Sequence, residues 1–143
     1  MTVKAILSRK GSNVITIEPT RTLAEAVKTL AEHRIGAVVV ANPDGQVAGI
    51  LSERDIVRAL ANRGPGALQD EIGQVMTRKV VTCTESDTVA EIMERMTQGK
   101  FRHLPVIERG KLAGLVSIGD VVKHRLGEME HESNALREYI LTA

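Results

Sequence analysis

Apolar residues follow two spacings along this chain, and the two spacings alternate in the same order twice. Within residues 23–30, and again within 89–96, apolar side chains fall at i, i+3, i+4 and i+7. This spacing predicts one amphipathic helix in each segment. Short apolar runs beside turn residues predict strands. The predicted strands are 14–17, 37–40 and 47–51, followed by 80–83, 104–107 and 112–116.

Hydroxyl and acidic residues mark where the helices begin. Thr22 and Thr88 each precede a glutamate by three residues, which is the spacing of a capping box at a helix N-terminus. A further helix in each half is predicted to begin near Asp55 and near Asp120. The expected core positions are Ile56, Val57 and Leu60 in the first of these helices and Val121, Val122 and Leu126 in the second.

The two halves of the chain are copies of one unit. Residues 14–17 match 80–83 at an offset of 66, and residues 45–52 match 110–117 at an offset of 65. Each copy has the predicted order strand, helix, strand, strand, helix. A unit of about 50 residues buries little surface by itself. We therefore predict an α+β fold in which two βαββα units pack about a pseudo-twofold axis.

Glycine, proline and charge mark the boundaries of these units. Residues 62–66, Asn-Arg-Gly-Pro-Gly, form a predicted linker, and a helical turn is predicted at 72–76. We assign residues 1–63 to the first unit with its N-terminal leading segment, and 64–126 to the linker and second unit. Residues 127–143 are polar and acidic and then end in apolar side chains. This pattern leaves two interpretations open: a mobile or frayed tail, or an amphipathic helix that contacts a partner.

Composition excludes several classes of protein. The chain has 143 residues, of which 43% are apolar and 26% charged, and its formal net charge is +1. These values are typical of a folded globular protein and not of a disordered or fibrous one. Near-neutral charge argues against nucleic acid or an anionic membrane as a partner, since a positive field gathers both. Phe101 and Tyr139 are the only aromatic residues, so a bound base would rest on aliphatic side chains and backbone groups.

Cysteine and histidine usage points to no catalytic or metal chemistry. The single cysteine, Cys83, aligns with Ile17 of the first copy, so we predict a buried apolar side chain. The four histidines lack the spacing of metal ligands, and neither GxxxxGK[ST] nor GxGxxG is present. The first ten residues are too charged for a signal peptide, and no apolar run reaches the ~18 residues of a membrane helix. We expect a cytoplasmic protein with no metal, no membrane partner and no enzymatic activity.

A serine and an aspartate recur where the last helix of each unit begins. Ser52 precedes Asp55 by three residues, and Ser117 precedes Asp120 by three. This is the arrangement of a helix cap. It also suits a nucleotide, because an aspartate there can accept hydrogen bonds from both ribose hydroxyls while free N–H groups of the helix bind phosphate. The spacing leaves both interpretations open, and they are compatible.

These segments resemble a tandem pair of CBS domains. The resemblance rests on Gly-Ile-Leu-Ser-Glu-Arg-Asp at 49–55, Gly-Leu-Val-Ser-Ile-Gly-Asp at 114–120 and Phe-Arg-His-Leu-Pro-Val at 101–106, and it extends over about residues 3–126. It implies a stand-alone pair, or Bateman module, whose units join through their sheets and leave two clefts. It further implies binding of AMP, ATP, NADH or S-adenosylmethionine, a homodimer, and modulation of an unknown effector protein.

The same resemblance assigns residues to the two clefts. Asp55 and Asp120 would each hold a ribose, and Arg102 and His103 would reach phosphates in the Asp55 cleft. Lys10 would neutralise a phosphate in the Asp120 cleft. The candidate nucleotide-binding residues are Lys10, Ile15, Thr16, Ser52, Arg54, Asp55, Val81, Arg102, His103, Ser117 and Asp120, with Ile50 and Leu115 as further apolar walls.

Two other functions remain open at this point. A small enzyme acting on a nucleotide would need an acid–base pair or an activated nucleophile. A ligand-free dimerisation scaffold would gain no stability from nucleotides. Nucleic-acid binding ranks below both because of the near-neutral charge.

Overall fold

Helices and strands alternate along residues 1–11 and 13–142, the part of the chain that this computed structural model describes. The helices are α1 (Val3–Lys10), α2 (Leu23–His33), α3 (Glu53–Arg63), α4 (Ile72–Val75), α5 (Val89–Gly99) and α6 (Ile118–Thr142), and a 3-10 helix spans Gly64–Gln69. The strands are β1 (Thr16–Ile17), β2 (Ala37–Ala41), β3 (Val47–Ser52), β4 (His103–Glu108) and β5 (Lys111–Ser117).

Each repeat builds its own small sheet. In the first repeat β1 runs parallel to β2, and β2 runs antiparallel to β3. In the second repeat β4 and β5 are antiparallel, and Cys83 pairs in parallel with Val106. The α+β fold class is confirmed. Of the predicted strand 14–17 only Thr16–Ile17 is a strand, and of the predicted strand 80–83 only Cys83 forms a β-bridge. The residues that precede them, Val14 and Ile15 in one copy and Val80 and Val81 in the other, line clefts.

The predicted helix starts are confirmed. The Thr22 side chain accepts a hydrogen bond from the backbone N–H of Glu25 at 3.3 Å, and that of Thr88 accepts one from Glu91 N–H at 3.2 Å. At Thr88 the box is complete, since the Glu91 carboxylate accepts from the Thr88 N–H at 3.4 Å. These caps fix the start of α2 and α5, whose apolar faces then cover the two sheets.

The leading segment of each repeat packs into the other repeat. Val3, Ile6 and Leu7 of α1 lie in one buried cluster with the sheet and helices of the second repeat. Ile72 of α4 and the adjacent Met76 lie in the buried cluster of the first repeat. The two cores therefore do not follow the sequence boundary at residue 63, and the domain limits remain a prediction about sequence units. The exchange also ties the two repeats together.

Two equivalent glycines admit the exchanged segments. A Cβ on Gly49 in β3 would lie 2.6 Å from the backbone oxygen of Thr77. A Cβ on Gly114 in β5 would lie 2.7 Å from a side-chain methyl of Leu7. Real Cβ atoms do not approach other heavy atoms this closely, so glycine allows the neighbouring segment to pack closely at both positions, and the contact with backbone at Gly49 is the harder one to relieve.

Not every predicted core position of the last helices is buried. Ile56 and Val121 are buried, but Val57 is 64% exposed and Val122 is 45% exposed. Leu126 is also exposed. The sheets cover only one side of α3 and α6, because each helix begins at the end of a strand and packs along that edge. Of the two alternatives left open for residues after 126, the structure has the helix, since α6 continues as one helix to Thr142.

Cys83 is buried in the core of the second repeat, as its alignment with Ile17 suggested. Burial, together with the nearby Asp87 carboxylate, raises the pKa of its thiol to about 12. A thiol with this pKa stays protonated at neutral pH and is a weak nucleophile.

Candidate functional site

The larger of two clefts between the repeats has a volume of about 580 Å³, within the range of small-molecule sites. One wall is the start of α3, and the facing wall is the segment before Cys83 together with the turn before β4. Seven predicted binding residues and one predicted wall meet here. They are Ser52, Arg54, Asp55, Val81, Arg102, His103 and Ser117, with Ile50 as the wall.

Asp55 is fixed at the N-terminus of α3 and lines this cleft. It is only 8% exposed. Its Oδ2 accepts hydrogen bonds from the Ser52 N–H at 2.9 Å and the Ser52 hydroxyl at 3.2 Å, and its own N–H donates to Ser52 Oγ. Its Oδ1 accepts from the Thr77 hydroxyl at 3.3 Å. A carboxylate oxygen has two acceptor sites, so Asp55 can cap the helix and still accept a hydrogen bond from a hydroxyl of a ligand in the cleft.

Positive side chains dominate the rest of this cleft. Lys79, Lys100 and Arg102 line it along the second repeat, and Arg54 and Arg58 line it along α3, against the carboxylates of Glu53 and Asp55. An excess of cations beside a helix N-terminus suits a bound anion, above all a phosphate.

Several lining residues were missing from the sequence-based set. Lys79 was predictable, because it occupies in the second repeat the place that Lys10 holds in the first. Phe101 was passed over because aromatic residues are so few, yet one of the two lines this cleft. The omitted lining residues are Gly36, Glu53, Arg58, Thr77, Lys79, Val80, Gly99, Lys100, Phe101, Ile118 and Gly119.

The second cleft is smaller, with a volume of about 260 Å³. Among its lining residues are the candidates Lys10, Ile15, Leu115 and Ser117, beside Arg34. The four predicted apolar walls thus divide into two pairs, one pair in each cleft. Each pair combines a residue of β3 or β5 with a residue of the segment before β1 or before Cys83. In this cleft the pair is Ile15 with Leu115, and in the larger cleft it is Val81 with Ile50.

Asp120 has a different environment from Asp55. Lys10 Nζ lies 2.6 Å from Asp120 Oδ2 and also donates to the backbone oxygen of Leu115 at 2.7 Å. The Ser117 N–H donates to the same Asp120 oxygen at 2.9 Å. Burial opposes ionisation of Asp120, but the hydrogen bonds from Lys10 and Ser117 outweigh it and lower the pKa of the carboxyl. The prediction that Asp120 shares the smaller cleft with Lys10 and Ile15 is wrong, because the Lys10 ion pair holds its carboxylate in a separate pocket of about 210 Å³ that Lys10 also lines.

His103 lines both clefts, as do Gly36 and Ser117. Burial lowers the pKa of the His103 imidazole, and the positive charges of Lys10 and Arg102 lower it further, against opposing effects of Asp120 and Glu53. A neutral imidazole at this point can donate or accept a hydrogen bond toward either cleft.

Thr16 does not join the other candidate residues. It is exposed and lines a separate surface pocket of about 730 Å³ with Glu18 and Arg21, which none of the other candidate residues lines. Alternation along β1 explains the difference, since Ile15 turns to the smaller cleft and the next side chain points the other way.

Within 1–11 and 13–142, no three histidine, cysteine or acidic side chains converge as metal ligands would. None of the helices in that part of the chain combines the length and the apolar character needed to cross a membrane.

Known proteins share both the sequence pattern and the fold. A relative in Arabidopsis thaliana, the mitochondrial CBS domain-containing protein CBSX3, is 38% identical over 123 residues, which is 83% of this chain and 60% of that protein. The crystal structure of the CBS-domain containing protein ATU1752 from Agrobacterium tumefaciens is 51% identical and superposes with a TM-score of 0.85, covering 87% of this chain and 92% of that one.

Two similar structures contain adenosine compounds. Protein MJ0100, crystallised with 5-methylthioadenosine and S-adenosyl-L-methionine, is 27% identical with a TM-score of 0.80 and covers 90% of this chain and 98% of its own. PAE2072 from Pyrobaculum aerophilum, complexed with AMP, is 28% identical with a TM-score of 0.75 and covers 84% of this chain and 89% of its own.

The family model for the CBS domain matches residues 3–62 and again residues 72–127. Those two matches coincide with the two repeats found in the sequence and with the two sheets found in the fold. The chain therefore belongs to the CBS domain family, with two CBS domains in tandem.

Proposed function

We propose that this protein is a regulatory module that binds an adenosine nucleotide in its larger cleft and changes the behaviour of a partner protein. The observation that carries the proposal is the cleft itself, where the Asp55 carboxylate at a helix N-terminus faces several cationic side chains from the other repeat. Similar CBS-pair structures hold AMP or S-adenosyl-L-methionine, which supports an adenosine compound as the ligand. The match with the relative CBSX3 spans only 60% of that protein's length, so the partners of the whole relative give no guide to the partner proposed here.

The ribose is proposed to bind at Asp55. The Oδ1 atom carries one hydrogen bond from Thr77 at 3.3 Å, which leaves acceptor capacity for the hydroxyls of a sugar. Hydrogen bonds to a charged acceptor contribute roughly 1.5 to 3 kcal/mol. Ser52 holds the carboxylate in place from the other side, so the carboxylate is oriented before the ligand arrives.

The phosphates are proposed to bind toward Arg102 and His103. Arg102 carries a permanent charge and a fork of donors that matches phosphate oxygens. His103 adds a donor and gains affinity for a proton when an anion sits beside it. Lys79 and Lys100 supply further positive charge at the same wall.

The base is proposed to lie between Ile50 and Val81, which face each other across the cleft. Apolar walls bind a flat ring by area burial, at roughly 25 cal/mol per Å². Backbone N–H and C=O groups would then distinguish one base from another. Phe101 adds one aromatic surface to the aliphatic walls.

A ligand in this position contacts both repeats, so its binding changes the relative free energies of the different ways in which the two repeats can pack. It favours whichever packing binds it better, by its difference in affinity between the two states. We propose that this difference is transmitted to an effector protein, that the module acts as a homodimer, and that it catalyses no reaction. The reduced, buried Cys83 fits a cytoplasmic location.

The direct test is calorimetric titration of the purified chain with AMP, ATP, NADH and S-adenosylmethionine. We expect saturable heat with at least one of them, and weaker heat with the matched control GMP. Absence of heat with all four at millimolar concentration contradicts the proposal. Chromatography of each mixture after incubation tests the non-catalytic part, which any conversion of the bound nucleotide overturns.

A further inference from the structure

The C-terminal part of α6 extends away from both sheets. His124 is buried, but residues 129–142 are exposed along their whole length. Large apolar side chains are among them, including Leu136, which is 60% exposed, and Ile140, which is 64% exposed. A single helix of this length is only marginally stable in water, so a partner that covers its apolar side would stabilise it.

The exposed apolar positions follow a heptad repeat. From Val122 the steps run four, three, four, three and four residues, which is the alternation of the d and a positions in a two-stranded coiled coil. The positions between them are mostly glutamate, histidine, asparagine and arginine. The stripe consists of Val122, Leu126, Met129, Ser133, Leu136 and Ile140, all of them exposed.

The charges beside the stripe are complementary between two copies of the helix. In a parallel coiled coil, a g position of one chain faces the following e position of the other. Here the g positions are Arg125 and Glu132, and the e positions are Glu130 and Arg137. In-register pairing of two copies therefore places Arg125 beside Glu130 of the second copy and Glu132 beside Arg137 of the second copy. Both contacts join opposite charges, so the sequence of one chain provides its own complementary surface.

We propose that α6 pairs with α6 of a second copy as a short parallel coiled coil along residues 122–140. The inference rests on the proposed homodimer and names the surface that forms it. Ser133 provides one small polar layer in the middle of the stripe, and such a layer favours the in-register arrangement at some cost in stability. A coiled coil at this position holds the two modules side by side, joined at the end of the helix that begins beside Asp120.

The first test measures the dimer directly, by light scattering of the full chain at several concentrations. The variant Leu136→Glu/Ile140→Glu is expected to raise the dimer dissociation constant by roughly a hundredfold or more, because four apolar side chains leave the interface. Glu138→Gln, on the outer side of the helix, is the matched control and is expected to leave it unchanged. Urea unfolding of both variants checks that the fold is intact, since these residues are exposed and lie outside both buried clusters.

Charge exchange tests the pairing more closely. Arg137→Glu alone places two glutamates together and is expected to weaken the dimer several-fold. Glu132→Arg/Arg137→Glu restores opposite charges and is expected to recover the affinity. Failure of the double variant to recover contradicts the proposed neighbours.

Cross-linking tests the orientation. Ile140→Cys is expected to form a disulfide-linked dimer under mild oxidation, because parallel pairing places the two substituted positions side by side. The unmodified chain is the control, since its buried Cys83 stays unlinked. A dimer that survives Leu136→Glu/Ile140→Glu, with no cross-link at 140, overturns the coiled coil but leaves the homodimer intact. A monomeric unmodified chain overturns both, and neither result bears on nucleotide binding.

Discussion

Asp55 and Asp120 occupy the same position in the two repeats, and each caps the helix that it begins. Their neighbours differ. A neutral hydroxyl from Thr77 contacts Asp55, whereas the ammonium of Lys10 contacts Asp120 at 2.6 Å. Asp55, the proposed ribose acceptor, is therefore not paired with a cation through either hydrogen bond to Ser52 or Thr77, whereas Asp120 is paired with Lys10. A repeated motif thus keeps its structural role in both copies, while its binding role depends on the segment that the other repeat brings to it.

The turns before the central strands increase this difference. Arg102 and His103 precede or begin β4, where the first repeat has the small residues Gly36 and Ala37. As a result Arg102 adds a positive charge and His103 an imidazole to the lining of the larger cleft, where both are proposed to contact phosphate. The smaller cleft has only small residues at the equivalent place, with Arg34 nearby. The two clefts are expected to differ in affinity.

The sharpest comparison of the two clefts is Asp55→Asn against Asp120→Asn. We expect Asp55→Asn to weaken AMP binding by roughly tenfold or more, because a charge-assisted hydrogen bond to ribose is lost. Asp120→Asn is expected to change the strongest AMP affinity much less, since Lys10 already holds that carboxylate. Calorimetry measures both, with Asp44→Asn in the β2–β3 turn as control. Equal losses in the two variants would remove the distinction between the clefts.

Gly49→Ala and Gly114→Ala compare the two exchanged segments. A Cβ at Gly49 meets the Thr77 backbone, which cannot move away easily, so we expect a loss of about 1 to 3 kcal/mol in the free energy of unfolding. A Cβ at Gly114 meets the end of the Leu7 side chain, which can change rotamer, so a smaller loss is expected. Urea unfolding of both variants measures the difference, and a larger loss at Gly114 contradicts this account.

Arg102→Gln tests whether Arg102 contacts the phosphate of a ligand in the larger cleft. We expect AMP affinity to fall by roughly tenfold and adenosine affinity to stay unchanged, because the guanidinium is proposed to contact only the phosphate. Arg34→Gln at the smaller cleft is the matched control. Parallel losses for AMP and adenosine in Arg102→Gln would place this arginine against another part of the ligand.

Lys10→Met is expected to have the smallest effect. The ion pair with Asp120 is partly exposed, so its loss costs about 1 kcal/mol or less. Because the pKa of Asp120 is lowered below its ordinary 3.8, this stabilisation is present above that pH and is lost as the carboxylate becomes protonated below it. Urea unfolding at neutral pH and at pH values below 3.8 should show the difference between chain and variant shrinking with acid. A difference that persists in acid points to packing by the lysine stem instead.

Local patterns in the sequence were enough for the repeats and for the caps at Thr22 and Thr88. Each of these depends on neighbouring residues or on the offset between copies. The contacts of Lys10 with Asp120 and of Thr77 with Asp55 join residues far apart in sequence. They depend on the exchange of leading segments, which no local spacing encodes. Thr16 was expected in a cleft and Val57 in the core, but both are exposed. The residue pattern identifies which side chains share a face of a strand or helix, but it does not show which other part of the chain packs against that face.

The exchanged segments also impose an order on folding. The core of the first repeat, from Leu23 to Met76, is contiguous in sequence and can close as soon as that stretch of chain is available. The core of the second repeat includes Val3 and Ile6 together with Val121, so it cannot close until the chain has extended to α6. Contacts between such distant residues form slowly because a long loop must be closed first. Until then the apolar face of α1 has no partner, which makes this short helix the part of the chain most in need of protection during synthesis.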